Sequence, residues 1–301
     1  RGFSFQTRCD TEVVLAAYLA FGPDCVEQFN GIFAFAVDDP VNRRVFLCRD
    51  RFGVKPLFYT LQEHRLAFAS EIKGLLEFPG VSPVVGREGL CELFGLGPAR
   101  TPGCGVFQGI RELRPGHMAV FDRLGFREIP YFDLEAQPHK ESYPETVEHV
   151  RALLLDTVER QLASDVPLCT FLSGGLDSSV VTAIAAQKLR ERGERLSTYS
   201  FEFEGNQEFF TPSSFQPDRD EDWARRVSSL LDTDHTSLLC SNRQLAASLQ
   251  SAVIAKDLPG MADIDGSLLY FCQLVKQRHT VVLCGECADE IFGGYPWFHR
   301  R

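Results

Sequence analysis

The sequence lacks an excess of positive charge. Its 31 Lys and Arg residues stand against 41 Asp and Glu residues, which gives a formal net charge of −10. Proteins whose main ligand is a nucleic acid or an anionic membrane carry basic fields, so we expect neither partner here. A phosphate group held locally by backbone N–H groups is still compatible with this charge.

Long apolar runs are also missing. No uninterrupted run approaches the ~18 residues that are needed to cross a bilayer. The first residues, RGFSFQTRCD, contain no apolar signal-peptide core. We therefore predict a cytoplasmic protein without a membrane partner.

The cysteines have no spacing typical of a secreted disulfide scaffold. Most of the ten lie in apolar runs, and we predict that they are reduced, buried small hydrophobes. Examples are Cys9, Cys48, Cys91, Cys169 and Cys272. The pair Cys284 and Cys287 has C-x-x-C spacing, but no second Cys or His pair follows it, which argues against a zinc or thioredoxin-type site.

What is present is a globular composition in a chain long enough for two domains. Of the 301 residues, 44% are hydrophobic, 24% charged and 11% aromatic, close to the average of folded proteins. The polar stretch EAQPHKESYPE, residues 135–145, marks a boundary. We predict domains at residues 1–136 and 137–301.

The first half has the pattern of a β-rich domain. DDPVN and QEH read as hairpin turns, and the segments HMAVFD and REIPYFDL read as one further strand pair. The other predicted elements are helix Asp10–Phe21 and strands Gly31–Val37, Arg44–Arg49, Pro56–Thr60 and Arg65–Ala69.

The second half alternates between helices and strands, which predicts an α/β fold with a doubly wound parallel sheet. The predicted helices are Glu145–Ala163, Ser178–Arg192 and Asp220–Leu231, with further helices after residue 240. The predicted strands are Val166–Leu172, Leu196–Phe203, Thr236–Cys240 and Thr280–Cys284.

The segment Ser173–Ser179, SGGLDSS, follows the first of these strands and opens a helix. Two adjacent glycines let several N–H groups converge on one anion at the positive end of the helix dipole. The loop has no P-loop lysine and carries Asp177 instead, which would repel a naked phosphate. Because Mg²⁺ prefers hard oxygen ligands and can bridge a carboxylate to phosphate, the loop predicts Mg–ATP. A Gly-Gly turn can also be ordinary loop chemistry.

A second acidic loop follows the last predicted strand. Gly285–Glu290 contains Glu286, Asp289 and Glu290 and ends near Gly293 and Gly294. In an open parallel sheet, ligands bind at the carboxyl ends of the strands. Crowded carboxylates repel one another unless a cation or proton lies among them, which predicts a magnesium ligand and an acid/base group. A solvated helix N-terminus, which favours Asp and Glu, is the alternative.

The whole chain resembles the glutamine-hydrolysing asparagine synthetase family. The matching segments, in order along the chain, are GIFAFAVDD, RDRFGVKPLFY, FASEIKGLLEFPGV, SDVPLCTFLSGGLDSS and VVLCGECADEIFGGY. The resemblance implies a partial class II glutamine amidotransferase domain, of N-terminal-nucleophile αββα type with connecting strands, over 1–136. It also implies a PP-loop ATP pyrophosphatase (synthetase) domain over 137–301.

The resemblance further implies roles for individual residues. Glu286 would be the base that assists ammonia attack, and Asp177 and Asp289 would bind Mg²⁺. Residues expected at the adenine and ribose are Phe171, Phe201, Cys284 and Gly285, and those expected at the phosphates are Ser173, Gly174, Gly175, Ser178 and Ser179.

In the first domain the resemblance implies a single substrate contact, from Asp10 to the α-amine of glutamine. Relatives begin this domain with a cysteine nucleophile, whereas residue 1 here is Arg, and relatives continue beyond the segment that ends at Arg301. We therefore expect an internal fragment without the glutaminase nucleophile and without the last part of the synthetase domain.

The resemblance implies ATP-dependent synthesis of asparagine from aspartate through a β-aspartyl-AMP intermediate, with release of pyrophosphate. The expected ligands are ATP, Mg²⁺, aspartate, and glutamine or ammonia, and a homodimer is left open. Two alternatives stay open as well. One is a β-lactam synthetase-like amide ligase that adenylates another carboxylate, and the other is a catalytically inactive nucleotide-binding protein.

Overall fold

The computed structural model describes residues 2–212, 218–295 and 298. Contacts divide the chain into two compact units, residues 1–137 with 253–261 and residues 138–252 with 262–301. The boundary after Gln137 lies one residue from the boundary expected from the sequence, after residue 136. From the sequence, no part of residues 253–261 was expected in the first domain. None of the described helices is both long and apolar enough to span a membrane.

The first unit contains two antiparallel sheets. One has the strand order β1-β2-β6-β7 and the other β4-β3-β5. The strands are β1 Ala34–Asp39, β2 Arg44–Arg49, β3 Phe58–Gln62, β4 Arg65–Ala69, β5 Ile110–Glu112, β6 His117–Asp122 and β7 Gly125–Pro130. The helices are α1 Asp10–Phe21, α2 Ile72–Leu76 and α3 Arg87–Gly95, and a 3-10 helix covers Gly22–Gln28.

Strand β2 shows how the layers of the first unit are stacked. Successive strand residues point to opposite faces of a sheet: Phe46 packs with Tyr18 of α1, whereas Leu47 packs with Tyr59 of β3. The far side of the second sheet carries Ile72 and Leu75 of α2. Helix, sheet, sheet and helix therefore follow one another, which confirms the αββα layering.

The second unit is built on one parallel sheet with the order β10-β9-β8-β11. Its strands are β8 Leu168–Phe171, β9 Ser197–Phe203, β10 Asp234–Cys240 and β11 Val281–Leu283. Its helices, in chain order, are α4 Tyr143–Gln161, α5 Leu176–Glu191, α6 Asn206–Phe209, α7 Asp220–Leu231, α8 Asn242–Lys256, α9 Ala262–Val275 and α10 Ala288–Phe292, except that residues 253–256 at the end of α8 are counted with the first unit.

Helices cover both faces of this sheet. Leu168 and Leu283 pack with α5, while their neighbours Cys169 and Val282 pack with Val275 of α9 on the opposite face. The strand order reverses between β8 and β11, because β9 lies on one side of β8 and β11 on the other. The doubly wound α/β fold is confirmed. Such sheets bind ligands outside the carboxyl ends of the strands where the order reverses, which in this sheet are β8 and β11.

Most predicted elements have the expected type, with shifted ends. Helix α4 begins at Tyr143 rather than Glu145 because Ser142 forms a capping box, in which Glu145 accepts hydrogen bonds from the Ser142 backbone N–H and hydroxyl. The strand predicted from REIPYFDL is wrong at its end: β7 stops at Pro130, and Tyr131 instead donates its hydroxyl to the Arg49 carbonyl, 2.7 Å away.

The prediction of buried cysteines is wrong for half of them. All ten are free, and five are exposed: Cys9, Cys91, Cys272, Cys284 and Cys287. Cys91 and Cys272 lie on helices, where an apolar neighbourhood along the chain does not decide which face a side chain takes. Cys48 and Cys169 are buried, as predicted.

Candidate active site

The phosphate loop, residues Ser173–Gly175, joins the end of β8 to the start of α5. Gly174 has φ 87° and lies directly against α7. A β-carbon at Gly174 would be 2.7 Å from the carbonyl carbon of Trp223, closer than real β-carbons come. Both the backbone conformation and the contact therefore require glycine at this position.

The hydroxyls of Ser178 and Ser179, in the first turn of α5 after the phosphate loop, have different surroundings. Ser178 is buried, and its Oγ accepts a hydrogen bond from the Ser173 N–H and donates to the Gly175 carbonyl. Ser179 Oγ is buried and has no hydrogen-bond partner among the described residues. The Ser178 hydroxyl therefore holds the phosphate loop in shape.

The second loop, Cys284–Cys287, joins β11 to α10 and lies against the phosphate loop. A β-carbon at Gly285 would be 2.7 Å from the Ser178 backbone nitrogen and 2.8 Å from the Asp177 carbonyl carbon. Since only a glycine allows this approach, Gly285 sets the spacing between the two loops.

Asp289 is close enough to Asp177 for its charge to act on the Asp177 carboxyl. Partial burial raises the pKa of the Asp177 carboxyl, and the negative charge of Asp289 raises it further. Gly294 leaves room for the Asp289 side chain, since a β-carbon there would overlap Asp289 Oδ1. Opposed carboxylates of this kind fit a divalent cation, which would remove their repulsion. Two carboxylates supply only part of the ligands that such an ion needs. The described residues contain no group of three or more His, Cys, Asp or Glu side chains that could hold a metal ion, so phosphate oxygens and water would supply the remaining ligands.

A cavity of about 640 Å³ lies between the two loops. The structure brings most of the predicted site residues to it: Phe171, Ser173, Gly175, Asp177, Ser178, Phe201, Cys284, Gly285, Glu286 and Asp289. Gly174 and Ser179 do not line it. Phe171 meets Phe201 edge to face at a centroid distance of 4.7 Å, and Phe201 stacks on Phe271 at 4.2 Å.

Several residues that line the cavity were missed by the sequence analysis. They are Leu172, Tyr199, Ser200, Phe203, Asp220, Cys287 and Tyr295, and Glu290 of the predicted acidic loop lines the cavity as well. Ser200 and Phe203 belong to β9, and the rule that ligands bind at strand carboxyl ends could have found them. Nothing in the sequence places Asp220, at the start of α7, beside the phosphate loop.

The first unit has a separate cavity of about 610 Å³ around Asp10. Asp10 is the first residue of α1, and Lys55, Asp38 and Ser70 also line this cavity. The remaining lining is mostly apolar and comes from residues 32–37. Asp10 is thus placed in a cleft large enough for an amino acid.

Comparison with known proteins gives a family for each half of the chain. A model of the asparagine synthase family matches residues 149–301, and a glutamine amidotransferase domain model matches residues 1–132. Asparagine synthetase [glutamine-hydrolyzing] 3 of Bacillus subtilis is 50% identical over 99% of this chain and 49% of its own length.

Two further relatives are more distant. Putative asparagine synthetase [glutamine-hydrolyzing] 2 of Methanocaldococcus jannaschii is 32% identical over 96% of this chain and 54% of its own length. Amidase chyE of Penicillium rubens is 34% identical over 98% of this chain and 44% of its own length. The chain thus spans about half the length of the curated relatives it matches. Since the synthase model covers residues 149–301, half of the chain, the protein belongs to the asparagine synthase family.

Proposed function

We propose that the protein carries the synthetase part, and part of the glutaminase, of a ligase that makes asparagine from aspartate and ATP with ammonia from glutamine. The observation that supports this most is the meeting of two acidic loops at the switch point of the parallel sheet. Gly285 lies against the backbone of Asp177 and Ser178, and the charges of Asp177 and Asp289 oppose each other across the same cavity.

In this proposal the phosphate loop holds the β- and γ-phosphates, which leave as pyrophosphate. Gly175 directly precedes α5, and the anion would bind the free backbone N–H groups at the start of that helix, where the helix dipole adds positive potential. The hydroxyl of Ser173, which lines the cavity, would supply a further donor. The adenine lies toward Phe171 and Phe201, whose rings line the same cavity.

Asp177 and Asp289 would hold Mg²⁺. When bound, the ion neutralises part of the charge of the polyphosphate and of the two carboxylates. Without it, both carboxylates oppose the binding of an anion.

Glu286 is proposed as the general base. Aspartate would be activated at its β-carboxylate as β-aspartyl-AMP, so that AMP can leave from the acyl carbon in place of a carboxylate oxygen, which is a poor leaving group. Ammonia then attacks the acyl carbon, and Glu286, which lines the cavity between Gly285 and Cys287, accepts the proton that the attacking nitrogen loses. In the first unit, Asp10 would bind the α-amine of glutamine.

Two measurements test the proposal. We expect the chain to bind Mg–ATP in isothermal titration calorimetry. A version extended to the length of the relatives should exchange labelled pyrophosphate into ATP when aspartate is present. Exchange only with other carboxylic acids would favour an amide ligase of the β-lactam synthetase type, and binding without any exchange would favour an inactive nucleotide-binding protein. A chain that binds no Mg–ATP would contradict all three.

A further inference from the structure

A cluster of charges built around two buried glutamates lies beside the active site and has no role in the proposed chemistry. We define the α7 anchor as Glu202, Arg219, Glu221 and Arg225, of which Arg219 is partly buried and Arg225 is exposed. Glu202 is only 6% exposed and Glu221 only 5% exposed. Ionised carboxylates are seldom buried to this extent without partners. The ion pairs and hydrogen bonds of the two glutamates therefore hold the local structure in one arrangement.

Arg219 connects the two glutamates of the α7 anchor. Its Nη2 lies 2.7 Å from Glu221 Oε2 and 3.4 Å from Glu202 Oε2. Glu221 also accepts from Arg225 and from the Ser237 hydroxyl. Burial raises the pKa of Glu221, but the hydrogen bonds, of which that from Arg225 is strongest, lower it more, and the net pKa is below its usual value. Glu221 is therefore ionised and firmly held.

Arg219 joins two different elements of the site. Glu202 belongs to β9, between the cavity-lining Phe201 and Phe203, while Glu221 lies in the first turn of α7. The next turn of α7 carries Trp223 and Ala224, whose backbones lie directly against Gly174 of the phosphate loop. A shift at the start of α7 would therefore be transmitted to the phosphate loop.

The two elements differ in how firmly they are fixed without Arg219. Strand β9 is hydrogen-bonded to β8 on one side and to β10 on the other. The first turn of a helix lacks intrahelical acceptors for its N–H groups and is held mainly by side chains. Loss of Arg219 would thus displace the start of α7 rather than the strand.

We propose that Arg219 is a positioning residue, which sets the affinity of the site for the polyphosphate of a nucleoside triphosphate by holding the start of α7 against Gly174. Arg219 does not line the cavity, so it acts through the backbone of α7. The inference rests on the proposed function, since it assumes that Ser173–Gly175 binds phosphate.

The test compares Arg219→Gln with Arg226→Gln by calorimetric titration with Mg–ATP and with AMP. Arg226 is an exposed cation of the same helix whose guanidinium lies over the Trp223 ring, 5.5 Å from its centroid, so its loss is a matched change of charge. We expect R219Q to weaken Mg–ATP binding about tenfold or more, and AMP binding by less than about twofold. R226Q should leave both within about twofold.

A purely structural role for Arg219 would give a different pattern. Loss of the fold would weaken the binding of Mg–ATP and of AMP equally, which would overturn the inference. Unchanged Mg–ATP binding in R219Q would overturn it as well.

Because Glu202 is left without its cation in R219Q, this variant could also fail to fold. The double variant Glu202→Gln/Arg219→Gln removes that unpaired charge.

We expect the double variant to regain thermal stability relative to R219Q but to keep the weak Mg–ATP binding. Recovery of wild-type Mg–ATP affinity together with stability would contradict positioning by Arg219. Failure of the wild-type chain to bind Mg–ATP would refute the proposed function and the inference together. Wild-type binding with an unchanged R219Q would refute the inference alone.

Discussion

The two units use charged loop residues in opposite ways. In the first unit, Asp50 accepts hydrogen bonds from the backbone N–H groups of Phe52, Val54 and Lys55. Its neighbour Arg49 donates to three carbonyl oxygens, those of Gly53, Lys55 and Leu113. In the second unit, the carboxylates of Asp177 and Asp289 face a cavity and each other.

This difference separates residues that hold a loop from residues that we propose to bind a ligand. The segment RDRFGVKPLFY is as distinctive in sequence as SGGLDSS, yet the charges of Arg49, Asp50 and Arg51 are satisfied by the backbone of their own unit, apart from the ion pair of Arg49 with Glu112. A charged side chain whose hydrogen bonds are made internally stabilises the fold. Carboxylates that repel each other across a cavity destabilise the free protein and favour a cation.

The largest effect that could break this comparison is expected for Asp289→Asn. The variant should weaken Mg–ATP binding by about a hundredfold or more, because a carboxylate ligand of the ion is lost. Calorimetric titration at fixed Mg²⁺ gives the affinity. Glu148→Gln is the control, since it removes the same charge from an exposed position of α4 that does not line the cavity. Asp289 would be a structural residue if D289N bound Mg–ATP as tightly as E148Q.

The same variant should leave the ligand-free protein at least as stable as wild type. The pKa of Asp177 is raised in the folded chain, so the folded state binds its proton more tightly than the unfolded state does. Stability from this group is present at acid pH and falls as pH rises through the interval between the normal and the raised value. At neutral pH, D289N removes the repulsion, and scanning calorimetry should show no decrease in the melting temperature.

Asp50→Asn sharpens the comparison from the other side. It weakens three charge-assisted hydrogen bonds of a fully buried carboxylate, and we expect a loss of about 2–4 kcal/mol in the free energy of unfolding. Urea denaturation followed by circular dichroism measures it, with the exposed Asp38→Asn as control. Mg–ATP affinity should not change; a decrease would show that this loop takes part in nucleotide binding.

Gly285→Ala tests the contact between the two loops of the second unit. The added β-carbon would lie 2.7 Å from the Ser178 nitrogen, so the loops must separate, at a cost of about 1–3 kcal/mol. Both the melting temperature and the Mg–ATP affinity should fall. Gly95→Ala, where a β-carbon meets nothing within 4 Å, should change neither. Wild-type affinity in G285A would show that the loop spacing is unimportant.

The smallest effect concerns His235, which donates to or accepts from Thr198 and Ser200 in the second unit. Burial, and then the charge of Arg225, lower its pKa below 6.5. The folded state therefore resists protonation. Stability from this group is complete above pH 6.5 and is lost as pH falls below it. His235→Asn should reduce the pH dependence of the melting temperature between pH 7 and 5. The part of that dependence that comes from His279, whose pKa is also lowered, should remain. An unchanged slope would contradict this.

Local patterns predicted the elements but not their surroundings. The bounds of α1, α7 and β2 agree with the sequence estimates because periodicity and end signals lie within each segment. The burial of Cys91 and Cys272 was wrong because residue type gives an average tendency, whereas exposure depends on which neighbour covers a helix face. The short helices α2 and α3, each of nine residues or fewer, were missed because they contain too few turns to show a period.

The sequence alone determined that two loops carry glycines, hydroxyls and carboxylates, the groups that we propose bind phosphate and a cation, because these groups act through properties of single residues. Only the tertiary structure decided that these loops meet, since β8 and β11 are joined by hydrogen bonds between Leu168–Thr170 and Val281–Leu283, more than a hundred positions apart. Contacts at that separation depend on how the whole sheet is ordered. The bridge from Arg219 to Glu202 and Glu221 likewise exists only because α7 and β9 pack together.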